Sequence, residues 1–179
     1  PTVAALTRPS KPFALADRGY GHAGYPAISI SHASADGFAQ WLAARTGRPY
    51  RLPTEREWTL ACEADGGLPD ERKALDAKAW TVRNSERATH PVGSLAPGAA
   101  GLHDMLGNVG EWCDVPDGKP VLMGGSFESR PDAVGCAARL EDDPAFNVTD
   151  PQIPKSPWWL ADGPFAGFRV VCEAAPGGD

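Results

Sequence analysis

Apolar and polar positions alternate with a helical period in only two places, both in the first half of the chain. In "SADGFAQWLAARTG" (34–47), Phe38, Trp41, Leu42 and Arg45 fall at i, i+3, i+4 and i+7. Ser34 stands where an N-cap belongs and Gly47 where a left-handed C-terminal glycine belongs, so the pattern predicts a helix over about 34–46. In "RLPTEREWTLACEADGG", Thr54 precedes Glu57 by three residues. That is the capping-box spacing, in which each side chain satisfies an orphan N–H of the first turn, and a second helix is predicted over about 54–64, stopping at Gly66–Gly67. After residue 68 the periodic pieces shrink to strand length: "KPVLMGG", "VGCAARL" and "GFRVVCEA" read as short strands bounded by glycines.

Two stretches fit neither period. "GLHDMLGNVGEWC" (101–113) carries Leu102, Met105, Leu106 and Val109 in helix-like order but interrupts them with Gly107 and Gly110. Each interior glycine costs a helix roughly 1 kcal/mol relative to Ala, so something other than helix stability is served there. Residues 141–167 hold five prolines and no period; Phe146, Trp158, Trp159 and Phe165 argue for an ordered loop, because exposed aromatics are costly. Trp158 and Trp159 suit either a ligand platform or a structural pin.

Composition narrows the class. A 179-residue chain that is 42% hydrophobic suits one domain with a real core. Its 20 Gly and 18 Pro, about a fifth of the residues, require many turns, so the expectation is an α+β, loop-rich globule. The net charge of −6 is dispersed and no Lys/Arg cluster forms, which argues against a nucleic-acid surface. No apolar run approaches the roughly 20 residues of a membrane span. The start "PTVAALTRPSKPF" lacks signal-peptide order and begins with Pro, so residues 1–24 read as an extension or the remnant of a longer chain ahead of one domain over 25–175. Cys62, Cys113, Cys136 and Cys172 are far apart with no C-x-x-C pair; two disulfides or four buried thiols fit equally. His22, His32, His90 and His103 are scattered without ligand spacing, and Asn147-Val148-Thr149 matches a glycosylation sequon.

Four ordered motifs, "YRLPTEREW" (50–58), "GLHDMLGNVGEW" (101–112), "LMGGSF" (122–127) and "GFRVV" (167–171), resemble the formylglycine-generating enzyme family, also called the sulfatase-modifying factor domain. The resemblance implies a C-type-lectin-like fold with a small antiparallel sheet, two helices and long structured loops. It also implies one calcium site on the Asp104 carboxylate, the Gly107 and Val109 carbonyls and the Glu111 carboxylate, where the glycines let carbonyls turn inward. The plainer alternative is that Asp104 caps a turn and Glu111 is solvated. A second family calcium site has no recognisable ligands in "AWTVRNSERATHPVGS".

The family's enzymes oxidise a peptide cysteine to formylglycine, holding Cu(I) on two cysteines just after the Gly-Gly-Ser strand, because soft Cu(I) prefers sulfur. Here that segment reads "GGSFESRPDAVGCAAR": Ser129 stands at the first cysteine position and no Cys lies between Phe127 and Gly135, which argues against copper. Cys136 matches instead a structural cysteine of some family members, whose partner falls at Cys62. That bridge would close a loop of about 75 residues and contribute roughly 4–5 kcal/mol in the chain-entropy model. Cys113 and Cys172 either pair or stay separate thiols. Iron-dependent relatives take their histidines from a domain that this chain does not show. The expectation is therefore a non-catalytic module that binds a peptide, glycan or partner subunit through Ser129, Arg130, Trp158 and Trp159, the alternative being a copper oxidase with a relocated site. Disulfides would place it in the periplasm or outside the cell; without them the cytoplasm would suit it.

Overall fold

The computed structural model describes residues 17–69 and 72–173. Helix α1 runs His32–Thr46 and ends as predicted at Gly47, left-handed at φ 70°. Its start differs from the sequence reading. Ser31 is the N-cap, its hydroxyl accepting from the Ser34 N–H at 3.2 Å, while the Ser34 hydroxyl donates to the Trp158 carbonyl. The buried face differs too. Ala35 and Ala39 face the core, and Phe38 and Trp41 remain 42% and 57% exposed. Small residues let the helix backbone approach Leu52 and Trp112, which the larger side chains would hold off.

Strand β1 (Tyr50–Arg51) leads into α2 (Glu55–Ala64), where the capping box forms in full between Thr54 and Glu57. Arg51 grips the same Glu57 with two hydrogen bonds of 2.7 and 2.6 Å, and Trp58 and Cys62 point into the core. A third helix, α3 (Arg72–Asp76), is too short to show a period and was not predicted.

The larger sheet has the order β4-β3-β2-β5, from β2 (Gly110–Cys113), β3 (Val121–Gly124), β4 (Gly135–Glu141) and β5 (Ala166–Gly167). Three of these strands run antiparallel, and β5 lies parallel to β2. Strand β6 (Val171–Cys172) pairs with β1 in a separate ribbon, so the predicted strand over "GFRVVCEA" breaks at 168–170 and serves two sheets. The molecule is thus α+β as expected, with a mixed rather than purely antiparallel larger sheet.

Every residue of β2 and β3 is buried, because both faces of the sheet are covered. Cys113, Val121 and Met123 face a core built on Trp58 and Cys62, while Trp112 and Leu122 face a second core with Leu52, Phe146 and Ala166. A Cys62–Cys136 disulfide ties α2 to β4, as the resemblance implied. Cys113 and Cys172 are free thiols. Residues 141–167 are ordered: Pro144–Asn147 form a 3-10 turn, Phe146 meets Phe165 edge-on at 5.2 Å, and buried Trp159 bridges to Ile30. Asn147 is woven into this segment, donating to the Ser156 carbonyl at 3.2 Å and accepting from the Ala161 N–H at 2.8 Å, so the sequon amide is a structural clamp. Among the described residues no helix is long and apolar enough to cross a membrane.

Candidate functional site

The glycine-interrupted stretch 101–113 answers to close packing. A Cβ on Gly107 would stand 2.2 Å from the Trp80 carbonyl oxygen, and the residue sits at φ 72°, so only glycine fits. A Cβ on Gly110 would stand 3.2 Å from Leu122. Between them Asn108 is almost fully buried and locks three segments together. Its N–H donates to the Trp80 carbonyl at 2.8 Å, its side-chain amide exchanges two 3.1 Å hydrogen bonds with the His90 backbone, and its carbonyl accepts from the Phe127 N–H at 2.8 Å.

Glu111 follows on β2, and its side chain is only 7% exposed. Arg169, in the 168–170 break, donates from Nε to Oε2 at 2.9 Å and from Nη2 to Oε1 at 2.8 Å. Trp58 Nε1 adds a 2.7 Å bond to Oε2, and Arg169 Nη2 also reaches the His103 carbonyl at 2.8 Å. Burial works against the guanidinium charge, yet Glu111, with Asp104 and Asp65 beyond it, outweighs that cost and raises the Arg169 pKa above its ordinary value.

Asp104 sits at φ 55° and accepts from the Gly93 N–H at 2.7 Å through Oδ2, while its Oδ1 is buried with no partner. Of the calcium donor set expected from the resemblance, Asp104 keeps one carboxylate oxygen without a partner, while the Glu111 oxygens accept from a guanidinium and an indole, so Arg169 is the cation beside Glu111 in this structure.

The remaining predicted residues divide into two places. Ser129 lines a cavity of about 220 Å³ with Ser126, Arg139 and Phe165, and its hydroxyl accepts from the Ser126 N–H at 2.9 Å. Arg130 next to it is 77% exposed and forks onto Asp132 at 3.1 Å. Trp158 and Trp159 do not line that cavity; they dock beside the start of α1, where the Trp158 carbonyl caps Ser31 and Ser34. Phe165 is the residue that brings the 141–167 segment to Ser129.

The sulfurs lie elsewhere. Cys62 and Cys136 are spent on their disulfide. Cys113 is fully buried on β2, and burial, with Glu111 and Asp114 nearby, pushes its thiol far above the ordinary range. Cys172 is half-buried on β6. Of the histidines, His32 meets Asp114 at 2.7 Å, His90 stacks on Trp80 at 3.6 Å, and His103 Nδ1 lies 3.0 Å from the Leu95 carbonyl. Among the described residues no three His, Cys, Asp or Glu side chains gather around a metal-sized point.

Sequence reasoning missed Arg169 and Trp58 as partners of Glu111, although both lie in motifs that carry the family resemblance. The available signal was a glutamate inside an apolar strand, which demands a buried donor and a positive charge.

The chain is similar to larger proteins. It is 32% identical over 153 residues to the serine/threonine-protein kinase pkn1 of Chlamydia pneumoniae, covering 72% of this chain and 23% of that protein. It is 36% identical over 115 residues to the formylglycine-generating enzyme of Mycobacterium tuberculosis, covering 55% of this chain and 34% of the enzyme. The chain thus spans between about a quarter and a third of these relatives' length. Among solved structures, PvdO from Pseudomonas aeruginosa superposes with a TM-score of 0.68 over 96% of this chain and 74% of its own, at 22% identity, which concerns the fold alone. The model of the sulfatase-modifying factor enzyme 1-like domain matches residues 10–151, most of the sequence, and with the buried "GNVGEW" stretch and its "GFR" arginine this makes the chain a member of that family.

Proposed function

We propose that this chain is a non-catalytic member of its family, a binding module that uses the surface around residues 127–135 and the Phe165 end of the 141–167 segment to hold a peptide, a glycan or a partner subunit. One observation carries the reading. Where the family's enzymes place a copper-binding cysteine, this chain has Ser129, whose hydroxyl is held by the Ser126 N–H in a cavity lined by no sulfur. A serine hydroxyl neither ionises near neutral pH nor binds Cu(I) well, and the thiols left free are on β2 and β6, the first buried and held protonated. The similarity to part of a much longer protein kinase supports a module that works as an attachment to larger machinery. The disulfide supports an oxidising compartment.

The test is direct. Purified protein incubated with Cu(I), O₂ and a cysteine-containing peptide should leave the peptide mass unchanged, and Ser129→Cys alone should not rescue turnover, since one thiolate leaves copper half-coordinated. Mass-spectrometric detection of the aldehyde with the unmodified chain would establish the alternative, a copper oxidase with a relocated site.

A further inference from the structure

Strand β4 is an outer edge of the larger sheet, with β3 as its one neighbour. Two bonds fix which way its backbone groups point. The Gly110 N–H goes to the Phe165 carbonyl just before β5 at 2.8 Å, and the Asp142 N–H goes to the Pro120 carbonyl just before β3 at 3.0 Å. Antiparallel pairing alternates, so with Leu122 opposite Leu140 the backbone of Leu140 turns to β3, while the N–H and C=O groups of Arg139 and Glu141 turn outward. Nothing among the described residues takes them up. Upstream the register jumps from Met123–Arg139 to Gly124–Gly135, so residues 136–138 bulge and the flat edge is confined to 139–141. An open edge is a template for another strand, and its side chains select which one. Arg139 and Glu141 stand on one face, where Arg139 donates to Glu141 at 2.8 Å and to Glu55 at 2.9 Å. Leu140 stands exposed on the other face, on the wall of the Ser129 cavity.

We propose that the chain forms a twofold dimer through this edge, two copies of β4 lying antiparallel about an axis at Leu140 and joining their sheets into one. In that register Arg139 faces the partner's Glu141 on both sides of the axis. These are the residues whose backbone groups point outward, so each such pair exchanges two hydrogen bonds and none is left over. Their side chains form an alternating ring of two arginines and two glutamates, whereas centring the axis on Arg139 or on Glu141 would set like charges face to face. Leu140 meets the partner's Leu140 at the close, non-hydrogen-bonded position. A foreign strand could satisfy the backbone, but this edge already carries its own complement, which is what an isologous contact requires. The axis stands perpendicular to the sheet, so both Ser129 cavities open on the same side of the dimer. The pairing does not rest on the non-catalytic reading, and either can fail without the other.

Sedimentation of the full chain at about 0.15 M salt, where repulsion between copies of net charge −6 is screened beyond about 8 Å, reads the mass. An edge contact this short is weak, so the series must reach about 1 mM protein, where a doubled mass should dominate. Arg139→Glu or Glu141→Arg alone sets like charges opposite each other on both sides of the axis and should weaken the dimer about tenfold or more. The double variant restores the opposition at unchanged net charge and should dimerise like the wild type, and a mixture of the two single variants should form the mixed dimer. Glu141→Pro deletes an outward N–H, leaves the β3 ladder intact and should abolish the dimer. Hydrogen exchange locates the contact: the Arg139 and Glu141 amides should exchange freely in dilute protein and slow on concentration. A monomer throughout, or a dimer indifferent to Glu141→Pro and to the single charge variants, overturns the proposal. Slow exchange of those two amides in dilute monomer also overturns it, because another part of the chain then covers the edge. Should a charge variant fail to fold, Glu141→Pro and the wild-type amides decide the outcome.

Discussion

The segment 104–111 lies within a family motif and the segment 126–132 begins at the end of one, yet their side chains handle polar groups in opposite ways. In the first, Asn108 and Glu111 are buried, and nearly every donor and acceptor they carry is used across long sequence separations, to His90, Trp80, Trp58, Phe127 and Arg169. In the second, Ser129 bonds Ser126 and Arg130 bonds Asp132, neighbours two or three residues away, and Arg130 lies in solvent. Long-range buried polar bonds hold a fold together, because breaking them strands a charge or an amide in a dry interior. Short side-chain bonds such as those of Ser129 and Arg130 hold only their own turn and leave those side chains open to change, while the backbone there is fixed from outside by the Val82 N–H on the Ser129 carbonyl at 3.0 Å. The difference explains how a chain can keep the scaffold while the side chains around Ser129 are free to vary.

That contrast can be broken most severely at Glu111. Glu111→Ala leaves the Arg169 guanidinium buried without its partner and should destabilise the fold by about 3–5 kcal/mol in urea unfolding. Replacing Arg130 by Ala should shift the same curve by less than about 0.5 kcal/mol, the usual range for an exposed side chain. A loss at Arg130 comparable to that at Glu111 would erase the distinction.

Next in size is the disulfide. Cys136→Ser, with Cys62 left reduced, should cost about 2–5 kcal/mol, read as a lower urea midpoint that added reductant does not lower further. Wild-type protein should move to the variant's midpoint when reduced.

A smaller effect belongs to the start of α2. Arg51, together with the Thr54 N–H, holds the Glu57 carboxyl down at about 2, against an ordinary value of 4.5. The folded pKa is depressed, so the stabilisation is complete above about pH 4.5 and drains away as pH falls toward 2. Both side chains are more than one-third exposed, so solvent screening keeps the amount modest. Glu57→Gln should flatten this part of the acid-unfolding profile, and an unchanged profile would remove the Arg51–Glu57 pair from the account.

The smallest expected effect is that of chelation. With Arg169 already on Glu111, EGTA should leave the melting temperature unchanged. A drop would mean that calcium displaces the guanidinium and that the solution structure of 104–111 differs from the one described.

How much of this was legible in the sequence depended on the range of the interaction that mattered. The α2 capping box and the glycine stop of α1 are written in residues three or four apart, and both formed as expected. The strands at 121–124 and 135–141 were readable because glycines fence them. The face of α1 was misleading, since Phe38 and Trp41 have core-like spacing but the helix comes in on Ala35 and Ala39, a choice made by Leu52 and Trp112 from elsewhere. Strand β2 was hidden by Gly107 just before it and Gly110 at its start, which are there for Trp80 and Leu122. The Glu111–Arg169 pair spans 58 positions, and no local pattern announces it.

The placement of β2 also orders events in time. Its residues are buried on both faces, its neighbour Asn108 is pinned through backbone and side chain alike, and the Gly110 N–H is held by the Phe165 carbonyl at 2.8 Å. Amide protons in such a strand reach solvent only when both cores part, so their exchange reports global opening, whereas those of the outer turn at Ser129 report local fraying. The most protected protons of the molecule should therefore lie in a tetrapeptide, Gly110–Cys113, that begins with glycine and offers no periodic signal of its own.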